Sequence, residues 1–167
     1  MPNFNESYKA AYYNPSEQVY YDFANGKNTA PTGVASGTAD NTAVYGPQSG
    51  PADVDQAGGL SPYGVMGLAG NVYEHGEDSY NSLNNDPNEV RTVRGGSWLD
   101  SDTKWLSSSF RLDFEGQPWL RPTWSDDDHG FRVASLDSDA IVPEPSMMVI
   151  GTLFGLGSLV AKRRRKR

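Results

Sequence analysis

Tyr63 to Glu74 reads YGVMGLAGNVYE, and Val90 to Trp98 reads VRTVRGGSW. How the chain turns through these two stretches decides the fold. In each, a short apolar run is punctuated by glycine, the residue used where backbones cross closely or φ turns positive. VRTVRGGSW reads as a strand running into a double glycine, and HGFRVA at His129 to Ala134 as a terminal strand. Between them lies SSSFRLD, Ser107 to Asp113. Upstream, Phe4, Tyr8, Ala11 and Tyr12 fall at helical spacing. This predicts a short helix over about residues 4–13, capped by Asn3 or Asn5 and followed by Pro15. Val19 to Phe23 is an aromatic strand candidate. Residues 24–62 are rich in Gly, Ala, Thr, Pro and Asp and have little periodicity, which predicts a long ordered loop. No internal repeat is evident.

These stretches, in this order, resemble the C-terminal part of the formylglycine-generating enzyme family, also called the sulfatase-modifying factor domain. The family's GNVWEW stands here as Gly70-Asn71-Val72-Tyr73-Glu74-His75, its RGGSW is intact as Arg94 to Trp98, and its closing GFR is Gly130-Phe131-Arg132. SYKAAYY, Ser7 to Tyr13, matches the helix after the family's RLPTEAEW segment. The resemblance spans roughly residues 5–135. It implies an α+β domain with a variant of the C-type-lectin-like fold, sparse in regular structure, with small twisted sheets. It also implies that the family's domain begins upstream of Met1, so that residues 1–135 hold its second half.

The 167 residues suffice for one domain and a modest core. Hydrophobic residues make up 37% and aromatics 11%, which argues against disorder, while 18 Gly and 11 Pro promise many turns. Six of the 14 basic residues close the chain as Lys162 to Arg167. That leaves eight against all 21 acidic residues, a net of −13 over residues 1–161. So acidic a body repels nucleic acid and favours cations as small partners; it also aids solubility. With no cysteine in the chain, disulfides, thiolate metal sites and cysteine nucleophiles are excluded.

The C-terminus is a separate segment. Met147 to Ala161 is an uncharged run, MMVIGTLFGLGSLVA, which as a helix would be roughly 22 Å long against a hydrocarbon core of about 30 Å. The basic cluster that follows argues against a buried core helix and belongs on the cytoplasmic side. Before the run, Pro143-Glu144-Pro145 can continue neither helix nor strand, so residues 136–146 form a linker. Pro-Glu-Pro, a short apolar helix and a basic end together resemble a PEP-CTERM sorting signal over residues 142–167. The resemblance implies recognition by an exosortase, anchoring in the inner membrane before processing, and final placement at the cell surface or in the extracellular matrix. The opening MPNFNESYKAAYY is not a signal peptide, so export implies a start upstream of Met1 or a gene fragment.

The resemblance implies copper chemistry on two cysteines after RGGSW. That segment here is LDSDTKWLSSSFR, Leu99 to Arg111, without cysteine. Soft thiolates select Cu(I), and neither Asp100 nor Ser107 to Ser109 replaces them. Formylglycine formation and copper binding are therefore not expected, and no catalytic residue is assigned. The family also holds calcium around GNVWEW. Carried over, its ligands are the carbonyls of Gly70 and Val72 and the carboxylate of Glu74, while a fourth falls on Gly67 and is lost. A tight turn over Gly70 to Glu74 with Glu74 facing inward would suit a hard cation. The alternative is a Glu74 that caps, or pairs with an arginine. Arg94, Arg111 and Arg132 fall where the family places structural arginines, which implies buried carboxylate partners. Asp126-Asp127-Asp128 and Asn84 to Glu89 lack the alternating spacing of a calcium loop and read as solvated turns. His75 and His129 are too few for an iron site and read as packed or surface residues. Trp98, Trp105, Trp119 and Trp124 read as mostly core, with a minority able to stack on extracellular polysaccharide. An exported, surface-sorted, non-catalytic domain is the expected function. The alternatives are an oxidative enzyme of the same family and an inactive fragment.

Overall fold

The computed structural model describes residues 1–79, 85–86, 88–111 and 120–133. The chain divides into two units, Met1–Ala134 and Ser135–Arg167. The sorting motif Pro143-Glu144-Pro145 and the apolar run Met147 to Ala161 lie outside the described residues. Among the described residues, no helix is long and apolar enough to cross a membrane.

Regular structure is sparse and mixed, an α+β arrangement. Helix α1, Phe4–Tyr12, starts where Asn3 caps it. The Asn3 side chain accepts from the Glu6 N–H while the Glu6 carboxylate accepts from the Asn3 N–H, a reciprocal capping box. The helix stops one residue short of the predicted end because Tyr13 turns extended to open β1, Tyr13–Asn14. This strand pairs antiparallel with β2, Val19–Tyr20, and the Tyr13 and Tyr20 rings meet at 4.9 Å. The predicted strand over residues 19–23 is thus only two residues long. Tyr21 leaves it to hydrogen-bond the Tyr12 carbonyl, and Phe23 bridges to Lys27. Residues 24–62 hold β3, Thr32–Gly33, parallel to β4, Thr42–Ala43, and otherwise irregular chain.

The main sheet has three strands in the order β6-β5-β7: β5 is Tyr73–Ser79, β6 is Arg91–Arg94 and β7 is His129–Phe131. β6 runs antiparallel to β5, with Glu74 opposite Arg94 and His75 opposite Val93. β7 runs parallel to β5, with Tyr73 opposite His129 and Glu74 opposite Gly130. Because side chains alternate along a strand, this register sorts the residues. Glu74, Arg94 and Arg132 share the face toward α1; Tyr73, His75, Val93 and His129 share the other. The first face borders a core of Ala11, Tyr12, Leu68, Ala69 and Leu106, and the second a core of Tyr73, Val93 and Leu120. A short 3-10 helix, Thr103–Leu106, delivers the fully buried Leu106.

Candidate functional site

GNVYE and RGGSW are locked together by backbone hydrogen bonds. The Gly70 N–H donates to the Gly95 carbonyl at 2.7 Å, the Trp98 N–H to the Asn71 carbonyl at 2.9 Å, and the Asn71 N–H to the Val44 carbonyl at 2.7 Å. Gly70 and Asn71 both take the left-handed conformation, with φ of 71° and 67°. A Cβ on Gly70 would sit 2.2 Å from the Val44 oxygen, so this crossing admits only glycine. The Asn71 side chain bonds both the N–H and the carbonyl of Ala52, at 2.7 and 3.2 Å, tying the irregular segment to the turn. The tight turn therefore occupies Gly70-Asn71 and not the whole of Gly70 to Glu74, since Tyr73 already begins β5.

Glu74 faces inward, as expected, and its carboxylate is engaged. Arg132 donates from Nη2 to Oε1 at 2.5 Å and from Nε to Oε2 at 3.1 Å, and Nη2 also reaches the Met66 carbonyl at 3.0 Å. The pair is mostly buried, with side-chain exposures of 20% for Glu74 and 32% for Arg132. Burial raises the Glu74 carboxyl above its ordinary value, and Arg132 opposes that rise. Of the two readings of this residue, the arginine pairing is the one seen: both carboxylate oxygens accept from Arg132. Gly70 lies in the tight turn and Val72 directly follows it, and a Cβ on Gly67 would sit 3.6 Å from the Arg132 Nη2.

Arg94 departs from the expected carboxylate pairing. Its guanidinium lies 4.9, 5.1 and 5.2 Å from the rings of Phe4, Tyr8 and Tyr12, an aromatic cage built by one face of α1. Nη2 donates to the carbonyls of Ser108 and Phe110 at 2.6 and 2.8 Å, while Nε and Nη1 are buried without a partner. A cavity of about 30 Å³, room for one water, adjoins Arg94, Glu74 and Arg132. The exposed Arg111 lies 5.2 Å from the Phe4 ring.

In the segment after RGGSW, three polar side chains make local bonds. The Asp100 carboxylate accepts from the N–H and Oγ of Ser97 at 2.7 and 3.2 Å, Asp102 caps the 3-10 helix, and the Ser107 hydroxyl donates to the Lys104 carbonyl.

The opposite face of the sheet holds an arrangement that residue spacing alone did not reveal. Parallel pairing of β5 with β7 sets His75 beside His129, with Nε2 of His75 3.2 Å from Nδ1 of His129. Both rings are buried, and the Asp128 carboxylate lies 3.7 Å from Nε2 of His129. Burial, with His129 adding to it, lowers the His75 pKa to about 4, so the ring is neutral at pH 7. Burial also raises the Asp128 carboxyl, against the pull of His129. The Tyr73 hydroxyl, next on this face, is driven far up by burial and by the nearby Asp100 carboxylate. A cleft of about 560 Å³ opens beside the two histidines, walled by Pro122, Trp124 and Phe131. Trp124 is 45% exposed, unlike the buried Trp98 and half-buried Trp105; Trp119 lies outside the described residues. Asp126 and Asp127 are exposed, as expected of a solvated turn, although the carboxylates of Asp126 to Asp128 lie within 4.8 Å of one another. Of Asn84 to Glu89, Asp86 accepts from the Asn88 N–H in a local turn.

The sulfatase-modifying factor enzyme 1-like domain matches residues 5–136 of the chain. Among solved structures, variable protein 1 of Treponema denticola is 21% identical, with a TM-score of 0.46 over 78% of this chain and 45% of that one. The chain thus spans less than half the length of that protein. No curated protein matches the sequence significantly.

Proposed function

The chain belongs to the sulfatase-modifying factor enzyme 1-like family, and from that membership we propose that it is a non-catalytic member displayed outside the cell and sorted by its C-terminal tail. The observation that carries the reading is the absence of cysteine from all 167 residues. Thiolate-bound copper has no ligands here, and three polar side chains after RGGSW make local bonds. The domain in this reading has the family's C-type-lectin-like fold and works as a binding module. Extracellular polysaccharide is its partner, stacked on Trp124 in the cleft. We assign Glu74 to its ion pair with Arg132 rather than to calcium.

The tail supports sorting through its three parts: Pro143-Glu144-Pro145, the uncharged run to Ala161, and Lys162 to Arg167. Its partner in this reading is an exosortase. Expression behind a cleavable export leader, in bacteria with and without an exosortase, tests this. A shorter form lacking the tail is expected only where the enzyme is present. Changing Pro143 and Pro145 to alanine should leave the longer form in the membrane. Identical products in both hosts would refute sorting by this tail.

A further inference from the structure

We propose that His75 and His129 bind a divalent transition-metal ion between Nε2 of His75 and Nδ1 of His129, with Asp128 orienting His129 from behind. Two nitrogens each about 2.05 Å from one tetrahedral ion lie about 3.3 Å apart, and these two lie 3.2 Å apart. A bare hydrogen bond between neutral imidazoles gives a similar distance, so the surroundings decide between them. His129 has its other ring nitrogen 3.7 Å from the Asp128 carboxylate, whose negative charge favours the proton on Nε2 and so the lone pair on Nδ1. His75 is 8% exposed and its Nδ1 is buried without a partner. With the proton on that Nδ1, the Nε2 lone pair is the one turned toward His129 and available to an ion. Finally, the cleft walled by Trp124 and Phe131 reaches both rings and gives an ion a route in. Two imidazoles suit zinc, nickel or copper and leave two positions for water or an incoming ligand.

The test uses the full, untagged chain. Its two histidines make the imidazole region of a long-range 15N–1H spectrum a two-residue spectrum. Zn2+ is expected to bind with one-to-one stoichiometry, moving the Nε2 signal of His75 and the Nδ1 signal of His129 together. Co2+ should give the visible absorption of an imidazole-ligated tetrahedral ion. His75→Gln and His129→Gln should each abolish binding. Asp128→Asn should weaken it at least tenfold, while the double variant Asp126→Asn/Asp127→Asn should stay within twofold of the parent. Zinc that leaves both histidine spectra unmoved up to millimolar concentration would overturn the proposal, as would binding that survives either histidine substitution or that follows Asp126 and Asp127. If a histidine variant fails to fold, the 15N spectrum of the parent chain still gives the answer.

Discussion

Arg132→Met should destabilise the domain by about 2–3 kcal/mol. Removing one partner of a fully buried ion pair costs about 3–5 kcal/mol, whereas exposed pairs contribute about 0–1 kcal/mol. With Glu74 20% and Arg132 32% exposed, the cost belongs near the lower edge of the buried range. Methionine keeps much of the arginine stem's volume, so the loss reports the stranded carboxylate and the lost bond to the Met66 carbonyl. With a urea m-value of about 2 kcal/mol/M, the midpoint should fall by roughly 1–1.5 M with m unchanged. The deficit should also depend on pH. Arg132 is the group that lowers the Glu74 carboxyl, so its removal lets burial raise that carboxyl further. A carboxyl whose folded value lies above its unfolded one contributes stability below the unfolded value and loses it as pH rises through the folded one. Arg132→Met should therefore lose less stability at pH 4.5 than at pH 8, and adding Glu74→Gln should recover part of the loss at pH 8. A deficit under about 0.5 kcal/mol, or strict additivity in that double-mutant cycle, would refute the coupling.

Gly70→Ala should cost on the order of 3 kcal/mol or more, or prevent folding, because a strained φ is joined by a Cβ 2.2 Å from the Val44 oxygen; a thermal unfolding midpoint near the parent's would contradict the crossing described. Asn3→Ala removes one arm of the capping box and should cost about 1 kcal/mol, read in calorimetry as a fall of roughly 3–5 °C. Because Arg132 occupies both Glu74 oxygens, millimolar calcium should leave the melting temperature unchanged; a rise that Glu74→Gln abolishes would return Gly70, Val72 and Glu74 to a calcium site. Incubation with copper and a sulfatase-motif peptide should leave the peptide cysteine's mass unchanged, and turnover above a metal-only blank would overturn the non-catalytic reading.

What was legible in the sequence is what local chemistry specifies. Helix α1 needs only the spacing of Phe4, Tyr8 and Tyr12 and the cap at Asn3, all within one short segment. Gly70-Asn71 announces its own turn, and RGGSW its strand end, because left-handed backbone selects glycine and asparagine within a residue or two. The longest strand was not legible: YEHGEDS carries two glutamates, a glycine and an aspartate, types depleted in strands. It is a strand because β6 and β7 supply its hydrogen bonds from both sides. The same pairing decides the chemistry. Glu74 meets Arg132 across 58 residues, and His75 meets His129 across 54. Arg94 settles among three aromatic rings and forms no ion pair among the described residues, because the register turns it toward α1. Motif order, glycine turns and the missing thiolates are properties of the chain itself, and the sequence alone pointed to the family. Which carboxylate is spent on which arginine, and which two imidazoles share a face, are consequences of strand register, and only the tertiary structure decided them.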